Sequence, residues 1–282
     1  MLPSSIGSNR NILARAGAIR YKGKFPLYVW GNWNNTHKHY GCFLLRSERP
    51  LFALPNLPKE KYIEYDYEYL EAICIITNDP KFKRPLGSSK QKLIQVFDTG
   101  MDSNLLSTAY LPFCEHKFLD LSISALQATF NRFYVDMITK AHSEEQAVNI
   151  LRNSKWNDTM KDYIMVAKEI VGVIELKGNA LIECGGPGYE SDYTLSSLVQ
   201  LMLDPYFRTI TGFCNLLEKE WIHLSYPFGK ERTGGNFELN NTIISDWDIV
   251  FFHFVNCVWQ LMQLNARQFE FGEELLIFLL DC

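Results

Sequence analysis

The sequence lacks the features of a secreted or membrane-spanning protein. Its first residues contain no apolar segment of the signal-peptide type. Its longest uncharged run, residues 249–266, is interrupted by His253, Asn256 and Asn265. The 7 cysteines are odd in number and form no Cys-x-x-Cys pair, which argues against a disulfide framework and against a zinc site. These absences predict a cytoplasmic protein with no metal and no cofactor.

A strong excess of one charge is also missing. The formal net charge is -4 over 282 residues, which gives no global reason to expect nucleic acid as a partner. Just over half of the Lys and Arg residues precede position 93, so a local basic face near the N-terminus stays open, although solvated strand edges and turns use lysine in the same way. The hydrophobic content of 47% and charged content of 21% are ordinary for a globular chain.

Short β-rich runs alternate with helical patterns along the chain, which predicts an α/β fold with a central sheet flanked by helices. The apolar spacing predicts two strands within residues 24–51, joined by a turn at 32–38, and further strands at 92–98, 118–122 and 179–183. It predicts helices at residues 67–77, 124–140, 193–203, 248–264 and 273–281, with another beginning near Trp156 and closed by Gly178. Asp204 and Pro205 are expected to begin one more helix, as its N-cap and first residue.

The most informative local unit surrounds Cys184. The stretch CGGPGYESD follows a predicted strand and precedes a predicted helix, and this order gathers backbone N–H groups and the positive end of a helix around one point. Cysteine phosphatases use such an anion cradle. Their thiolate attacks phosphorus, an Arg grips the phosphate oxygens, and a carboxylic acid protonates the leaving oxygen. The Cys184 loop is therefore the candidate site.

The loop lacks the groups that this chemistry needs. A Cys-x5-Arg pattern would place the Arg at Glu190, and the next Arg, Arg208, follows a whole helix. We expect Glu183, Glu190 and Asp192 to bring three carboxylates to the mouth of the loop, where they would raise the pKa of the thiol and repel phosphate. The sequence therefore predicts no catalysis. Cys184 is interpreted as a buried cysteine beside a glycine-rich turn.

Three ordered stretches resemble the myotubularin family of phosphoinositide 3-phosphatases. They are KFPLYVW at 24–30, LVQLMLDPYFRTITGF at 198–213, and NCVWQL with FEF at 256–261 and 269–271. QVFD at 95–98 and FLDLS at 118–122 fall where that family has corresponding elements. The resemblance implies a protein-tyrosine-phosphatase-like domain of the cysteine phosphatase superfamily, covering residues 1–282.

Active members of the family carry the loop Cys-Ser-Asp-Gly-Trp-Asp-Arg-Thr. Aligned backwards from SSL at 196–198, Gly188 falls on the Gly and Ser191 on the Arg, with one extra residue after Cys184. In either alignment the Arg is missing, because its position holds Glu190 or Ser191. Glycine or proline replaces the first Asp, and the His that precedes the Cys is replaced by an acid. The resemblance therefore implies a degenerate loop without a catalytic residue, formed by Cys184, Gly186, Gly188, Glu190 and Ser191.

The segment DPYFRTITGF, together with this loop, is most similar to the inactive branch that includes the 3-phosphatase adapter protein. The resemblance implies an adapter or regulatory subunit for an active myotubularin-family phosphatase, cytoplasmic and peripheral on endomembranes. Relatives generally carry an N-terminal PH-GRAM domain, further catalytic-domain sequence and often a coiled coil, and none of these is recognised in this chain. The phosphatase-like domain is therefore expected to be incomplete, through a fragment, a truncated gene model or a reduced paralogue.

Three alternatives to the adapter stay open at the level of sequence. The chain could bind phosphoinositide headgroups at membranes without hydrolysing them, as the basic N-terminal third favours. It could be a residual enzyme that uses Cys184 with an Arg from elsewhere, such as Arg208 or Arg232. It could also be a purely structural protein without a phosphatase partner.

Overall fold

The computed structural model describes residues 10–20, 26–31, 42–48, 69–70, 73, 94–99, 114–121, 123–176, 178–184, 191–226, 228, 237–239, 242–244 and 249–281. The described part of the chain contains strands β1 (Leu27–Gly31), β2 (Phe43–Glu48), β3 (Ile94–Asp98), β4 (Cys114–Phe118), β5 (Ala180–Cys184), β6 (Phe237–Leu239) and β7 (Thr242–Ile244). Its α-helices are α1 (Arg10–Ala18), α2 (Ile123–Lys140), α3 (Glu144–Ser154), α4 (Trp156–Glu175), α5 (Ser191–Leu203), α6 (Ile210–Leu217), α7 (Ile249–Leu264) and α8 (Glu273–Asp281).

The chain divides into two compact units, which we call the sheet unit and the helical unit. The sheet unit comprises Met1–Asp120 and Ile170–Asp192, and the helical unit comprises the remainder of the chain. The sheet unit holds a five-stranded sheet in the order β1-β2-β5-β3-β4. Strand β1 is antiparallel to β2, whereas β2, β5, β3 and β4 run parallel. The predicted α/β fold with a mixed sheet and flanking helices is confirmed.

The strand register separates the side chains of this sheet into two faces. Side chains alternate along a strand, and residues paired across parallel strands share a face. Glu183 is paired with Ser47 and with Asp98, so these three belong to one face, which we call the Glu183 face. The opposite face carries Cys184, and we call it the Cys184 face. The Glu183 face bears the main core of the sheet unit, formed by Phe43, Leu45, Ile94, Val96 and Leu181 with Ala16 of α1 and the buried Tyr69, Leu70 and Ile73.

Aromatic packing and one buried polar network organise the helical unit. Phe130, Trp156 and Phe252 join α2, α4 and α7, with ring centroids 5.4 to 5.9 Å apart. In α5, Ser196 and Gln200 donate hydrogen bonds of 3.0 and 2.8 Å to the fully buried carboxylate of Glu220. Because a buried carboxylate is costly unless it is hydrogen-bonded, this network fixes the helix that follows the candidate loop.

Several predicted elements are confirmed at their ends. The predicted strand at 92–98 and helices at 124–140 and 273–281 correspond to β3, α2 and α8. Asp204 accepts a hydrogen bond of 3.0 Å from the backbone N–H of Tyr206, as an N-cap should, although the helix it begins is the 3-10 segment Pro205–Arg208. The N–H of Gly178 donates to the carbonyl of Val173 at 2.9 Å, so glycine closes α4 as expected.

One predicted strand was misplaced, one helix was missed, and other predicted elements lie outside the described residues. The strand predicted at 118–122 lies four residues earlier, as β4, because the polar sequence CEHKF hides a strand on the edge of the sheet. Helix α3 was not predicted, since it contains few apolar residues, yet Ser143 caps it by accepting from the N–H of Gln146. The predicted turn at 32–38 and most of the predicted helix at 67–77 lie outside the described residues.

Candidate active site at the end of strand β5

Strand β5 and helix α5 hold the two ends of the candidate loop. Cys184 ends β5 and is 1% exposed, and Ser191 begins α5 and is fully buried. The predicted strand before the loop and the predicted helix after it are therefore confirmed. Gly186, Gly188 and Glu190 lie outside the described residues, so the degenerate loop itself stays a prediction from the sequence.

A buried ion pair lies at the start of α5. Nε of Arg46 in β2 is 2.6 Å from Oδ2 of Asp192, and the two side chains are 6% and 4% exposed. Arg46 is paired with Ile182, so it belongs to the Cys184 face. Asp192 stands in the first turn of α5, where a negative charge interacts favourably with the helix dipole. The carboxylate of Asp192 therefore binds the guanidinium of Arg46 at the N-terminal end of α5, which is where a phosphate would bind.

The expectation for Glu183 was wrong. We expected its carboxylate at the mouth of the Cys184 loop, but successive side chains of a strand point to opposite faces. Glu183 is paired with Asp98 and is fully buried on the face opposite Cys184. Its backbone carbonyl accepts a hydrogen bond of 2.9 Å from the N–H of Thr99, which fixes the end of β5. Glu183 is adjacent to Cys184 in sequence but does not share its environment.

The role expected for Asp192 also changes, because Arg46 balances its charge. Of the three carboxylates expected to repel phosphate, one faces away, one is paired, and Glu190 lies outside the described residues. Repulsion of phosphate by these carboxylates is therefore weaker than the sequence suggested. The prediction of no catalysis depends mainly on the missing Arg at positions 190 and 191.

The two arginines considered as substitutes do not gain support. Nη1 of Arg208 donates hydrogen bonds of 2.7 and 3.1 Å to the carbonyls of Leu201 and Met202. These carbonyls belong to the C-terminal end of α5, whereas the loop would enter that helix at Ser191. Partial burial lowers the pKa of the Arg208 guanidinium, and Asp204 opposes this effect. Arg232 lies outside the described residues.

Sequence reasoning missed Arg46. It lies 146 positions from Asp192, and no local pattern links a strand residue to a helix so far along the chain. The available signal was a cation inside the apolar run FLLRSE, since a charged residue within a buried strand needs a partner. The pair His37 and His39, which supplies too few ligands for a metal site by itself, lies outside the described residues. Among the described helices, none has the length and hydropathy needed to cross a bilayer.

Comparison with known proteins decides the family. A sequence model described as the myotubularin-like phosphatase domain matches residues 1–282. The chain belongs to the myotubularin family. Its fold is accordingly that of the protein-tyrosine-phosphatase-like superfamily, in agreement with the mixed sheet and with the β5, loop and α5 unit.

Two relatives align with nearly the whole chain, and a third aligns with just over half of it. Myotubularin of Xenopus laevis is 26% identical over 271 residues, which is 95% of this chain and 42% of the relative. Myotubularin-related protein 9-like of Bos taurus is 27% identical over 271 residues, again 95% of this chain and 48% of the relative. Myotubularin-related protein 10-B of Xenopus laevis is 33% identical over 163 residues, or 57% of this chain and 20% of the relative. The chain spans less than half the length of these myotubularins.

Proposed function

We propose that this myotubularin-related chain is catalytically inactive and acts as an adapter or regulatory subunit for an active phosphoinositide 3-phosphatase. The observation that carries the proposal is the buried Arg46–Asp192 pair at the start of α5. In this pair the guanidinium of Arg46, on the Cys184 face, is bound by the carboxylate of Asp192. A phosphate at that end of the helix would have to compete with this carboxylate for the guanidinium.

The sequence of the loop supports the same proposal. Thiolate catalysis needs a positive charge near the sulfur, an Arg for the phosphate oxygens and an acid for the leaving group. In this chain the Arg position holds Glu190 or Ser191, and glycine or proline replaces the first loop Asp. Cys184 is almost fully buried, as expected of a structural cysteine rather than an exposed nucleophile.

An adapter needs a surface for its partner, and α8 offers an apolar one. Every residue of α8 between its terminal acidic residues is apolar, yet only Leu276 is buried. Ile277 and Phe278 are 55% and 62% exposed, and large exposed apolar side chains that lie together are typical of protein-binding surfaces. We propose that α8 contributes to the contact with an active myotubularin-family phosphatase, in the cytoplasm and peripherally on endomembranes where the lipid substrate is held.

Two of the described arginines of the N-terminal third do not support the lipid-binding alternative. Arg20 donates from Nε to Ser47 and to the carbonyl of Glu48, both at 2.9 Å, and Arg46 is held by Asp192. Both arginines are buried. These basic residues therefore stabilise the sheet unit and are not presented to a headgroup.

Affinity purification of the tagged chain from cells tests the adapter role. We expect an active phosphoinositide 3-phosphatase to be recovered with the parent chain and to be lost with the double variant Ile277→Glu, Phe278→Glu. Met165→Glu is the matched control, because Met165 is 54% exposed on α4. Recovery of no such phosphatase with the folded parent chain would contradict the proposal. Equal recovery with the α8 double variant would contradict the α8 contact only.

A further inference from the structure

Three side chains with metal-binding atoms meet on the Glu183 face. Asp98, His116 and Glu183 each place one candidate ligand atom so that all three atoms lie within 4.8 Å of one another. Nε2 of His116 is 3.8 Å from Oε2 of Glu183. Asp98 and Glu183 are fully buried, and the side chain of His116 is 7% exposed. This cluster is distinct from the Cys184 loop, because it lies on the other face of the sheet.

The strand register builds this cluster. Asp98 of β3 is paired directly with Glu183 of β5, and His116 of β4 is paired with Val96, two residues before Asp98. The three donors therefore come from three adjacent parallel strands and share one face. The ring of His116 packs against Phe118 with centroids 5.0 Å apart. Backbone N–H groups of Thr99 and Leu119 donate to the carbonyls of Glu183 and Asp98 at 2.9 and 2.8 Å, so the backbone is held at both carboxylates.

The donor atoms of the cluster suit a cation at its centre. Carboxylate oxygens and a neutral imidazole nitrogen are ligands that divalent metal ions accept in proteins. Buried carboxylates are costly unless they are paired, hydrogen-bonded or bound to a metal. A divalent ion among the three ligand atoms would balance both carboxylates and would bind the neutral form of the imidazole.

The donor set and the spacing also fit a metal. One imidazole and two carboxylates suit zinc and the neighbouring divalent transition metals, and three protein ligands leave one position open for water. With metal–ligand bonds of about 2.0–2.1 Å, ligand atoms in a tetrahedral site lie roughly 3.3 Å apart. The His116–Glu183 distance of 3.8 Å is close to this value, and all three ligand atoms lie within 4.8 Å of one another, so the side chains would have to draw closer to complete the site.

We propose that Asp98, His116 and Glu183 bind one divalent transition-metal ion of the zinc type, which joins the carboxyl ends of β3, β4 and β5. Such an ion would stabilise the strand that leads into the Cys184 loop without taking part in chemistry at Cys184. The proposal does not rest on the adapter function. It also differs from the sequence-based expectation of no metal, which missed the site because its ligands are separated by 18 and 67 positions.

Zinc binding by the tag-free whole chain tests the proposal. After treatment with a chelator, the chain is titrated with Zn²⁺ in a calorimeter, and its thermal unfolding is followed with and without the metal. We expect one Zn²⁺ per chain and a rise in Tm, because a ligand that binds only the folded state stabilises it. Glu183→Gln preserves the size of the side chain and removes one ligand charge, and it should weaken binding at least about 100-fold and abolish the rise in Tm.

The controls separate this site from adventitious binding. His142→Ala removes an exposed histidine and should leave both the affinity and the Tm shift unchanged. If Glu183→Gln does not fold, Asp98→Asn and His116→Gln provide the same comparison. The proposal is overturned if the parent chain binds no Zn²⁺, or if the bound Zn²⁺ and the Tm shift survive in the folded ligand variants. In that case the cluster is an ion pair between His116 and the carboxylates.

Discussion

The two faces of the sheet carry different groups at the end of β5, although Glu183 and Cys184, which mark these faces, are neighbours in sequence. On the Cys184 face, Arg46 meets the carboxylate of Asp192 in a buried one-to-one ion pair. On the Glu183 face, two buried carboxylates meet one histidine. The first arrangement joins one cation to one carboxylate, whereas the second brings two carboxylates to one imidazole. Alternation along β5 therefore creates two sites with different chemistry from neighbouring residues.

This difference changes the explanation for the proposed lack of catalysis. An acid before the cysteine was expected to act on the thiol directly, but Glu183 belongs to the other face. On the Cys184 face, the cation is bound by the chain's own carboxylate. In this account, inactivity follows from the residues that replace the Arg and the acid of the loop, together with the internal pairing of Arg46.

The largest expected effect on stability comes from breaking the Arg46–Asp192 ion pair. Asp192→Ala removes the carboxylate that the buried Arg46 guanidinium contacts, and removal of one partner of a buried ion pair costs about 3–5 kcal/mol. We expect a fall of this size in the free energy of unfolding, measured by urea denaturation. The double variant Arg46→Met, Asp192→Leu should be much closer to the parent, because both charges of the pair are removed together. Equal loss in the single and double variants would mean that the pair does not act as a unit.

A buried histidine in the helical unit sharpens the comparison, because aromatic rings rather than carboxylates surround it. The ring centroids of Trp156 and Tyr163 lie 5.3 and 4.6 Å from the ring centroid of His253. Burial lowers the pKa of His253 to about 3, with a smaller opposite effect from the contact with Thr159. Between pH 6.5 and 3 the unfolded chain therefore binds more protons than the folded chain.

The free energy of unfolding should accordingly fall as the pH is lowered through this window, by about 1.4 kcal/mol per pH unit for this one group. Urea denaturation at pH 6.5 and pH 5 checks the slope. His253→Phe removes the titrating group and should flatten it by about that amount. If the parent and the variant lose stability equally with falling pH, His253 is not held neutral in the folded state.

The smallest expected effect tests the separation of the two faces. In the chelator-treated, metal-free chain, Glu183→Gln should leave the alkylation rate of the Cys184 thiol unchanged, because the carboxylate and the sulfur point to opposite sides of β5. Mass spectrometry of the alkylated chain measures this rate. Cys214, which is exposed, is the internal standard. A large rise in Cys184 alkylation in a folded Glu183→Gln variant would show that the two residues share an environment after all.

Local pattern was sufficient for the unit that defines the candidate site. An apolar strand before the glycine-rich loop and a helix after it were predicted from neighbouring residues and are confirmed as β5 and α5. The pairing of strands was not predictable in the same way. Arg46 meets Asp192, and Asp98 meets Glu183, only because β2 and β3 lie on either side of β5.

The position of the Glu183 carboxylate was predictable from the sequence. The period of two along a strand already places Glu183 and Cys184 on opposite faces, so Glu183 should not have been expected at the mouth of the loop. Strand β4 was misplaced for a different reason. Its residues Glu115 and Lys117 are polar and partly exposed on the edge of the sheet, so the hydrophobic pattern was weak there.

The most direct test of the central claim is hydrolysis of a 3-phosphorylated inositol lipid by the purified whole chain. We expect no phosphate release above that of Cys184→Ser, and no recovery in Ser191→Arg, because the acid is also missing and the loop is longer. Phosphate release by the parent chain that disappears in Cys184→Ser would contradict the account. It would show that Cys184 is a working nucleophile despite the lost Arg.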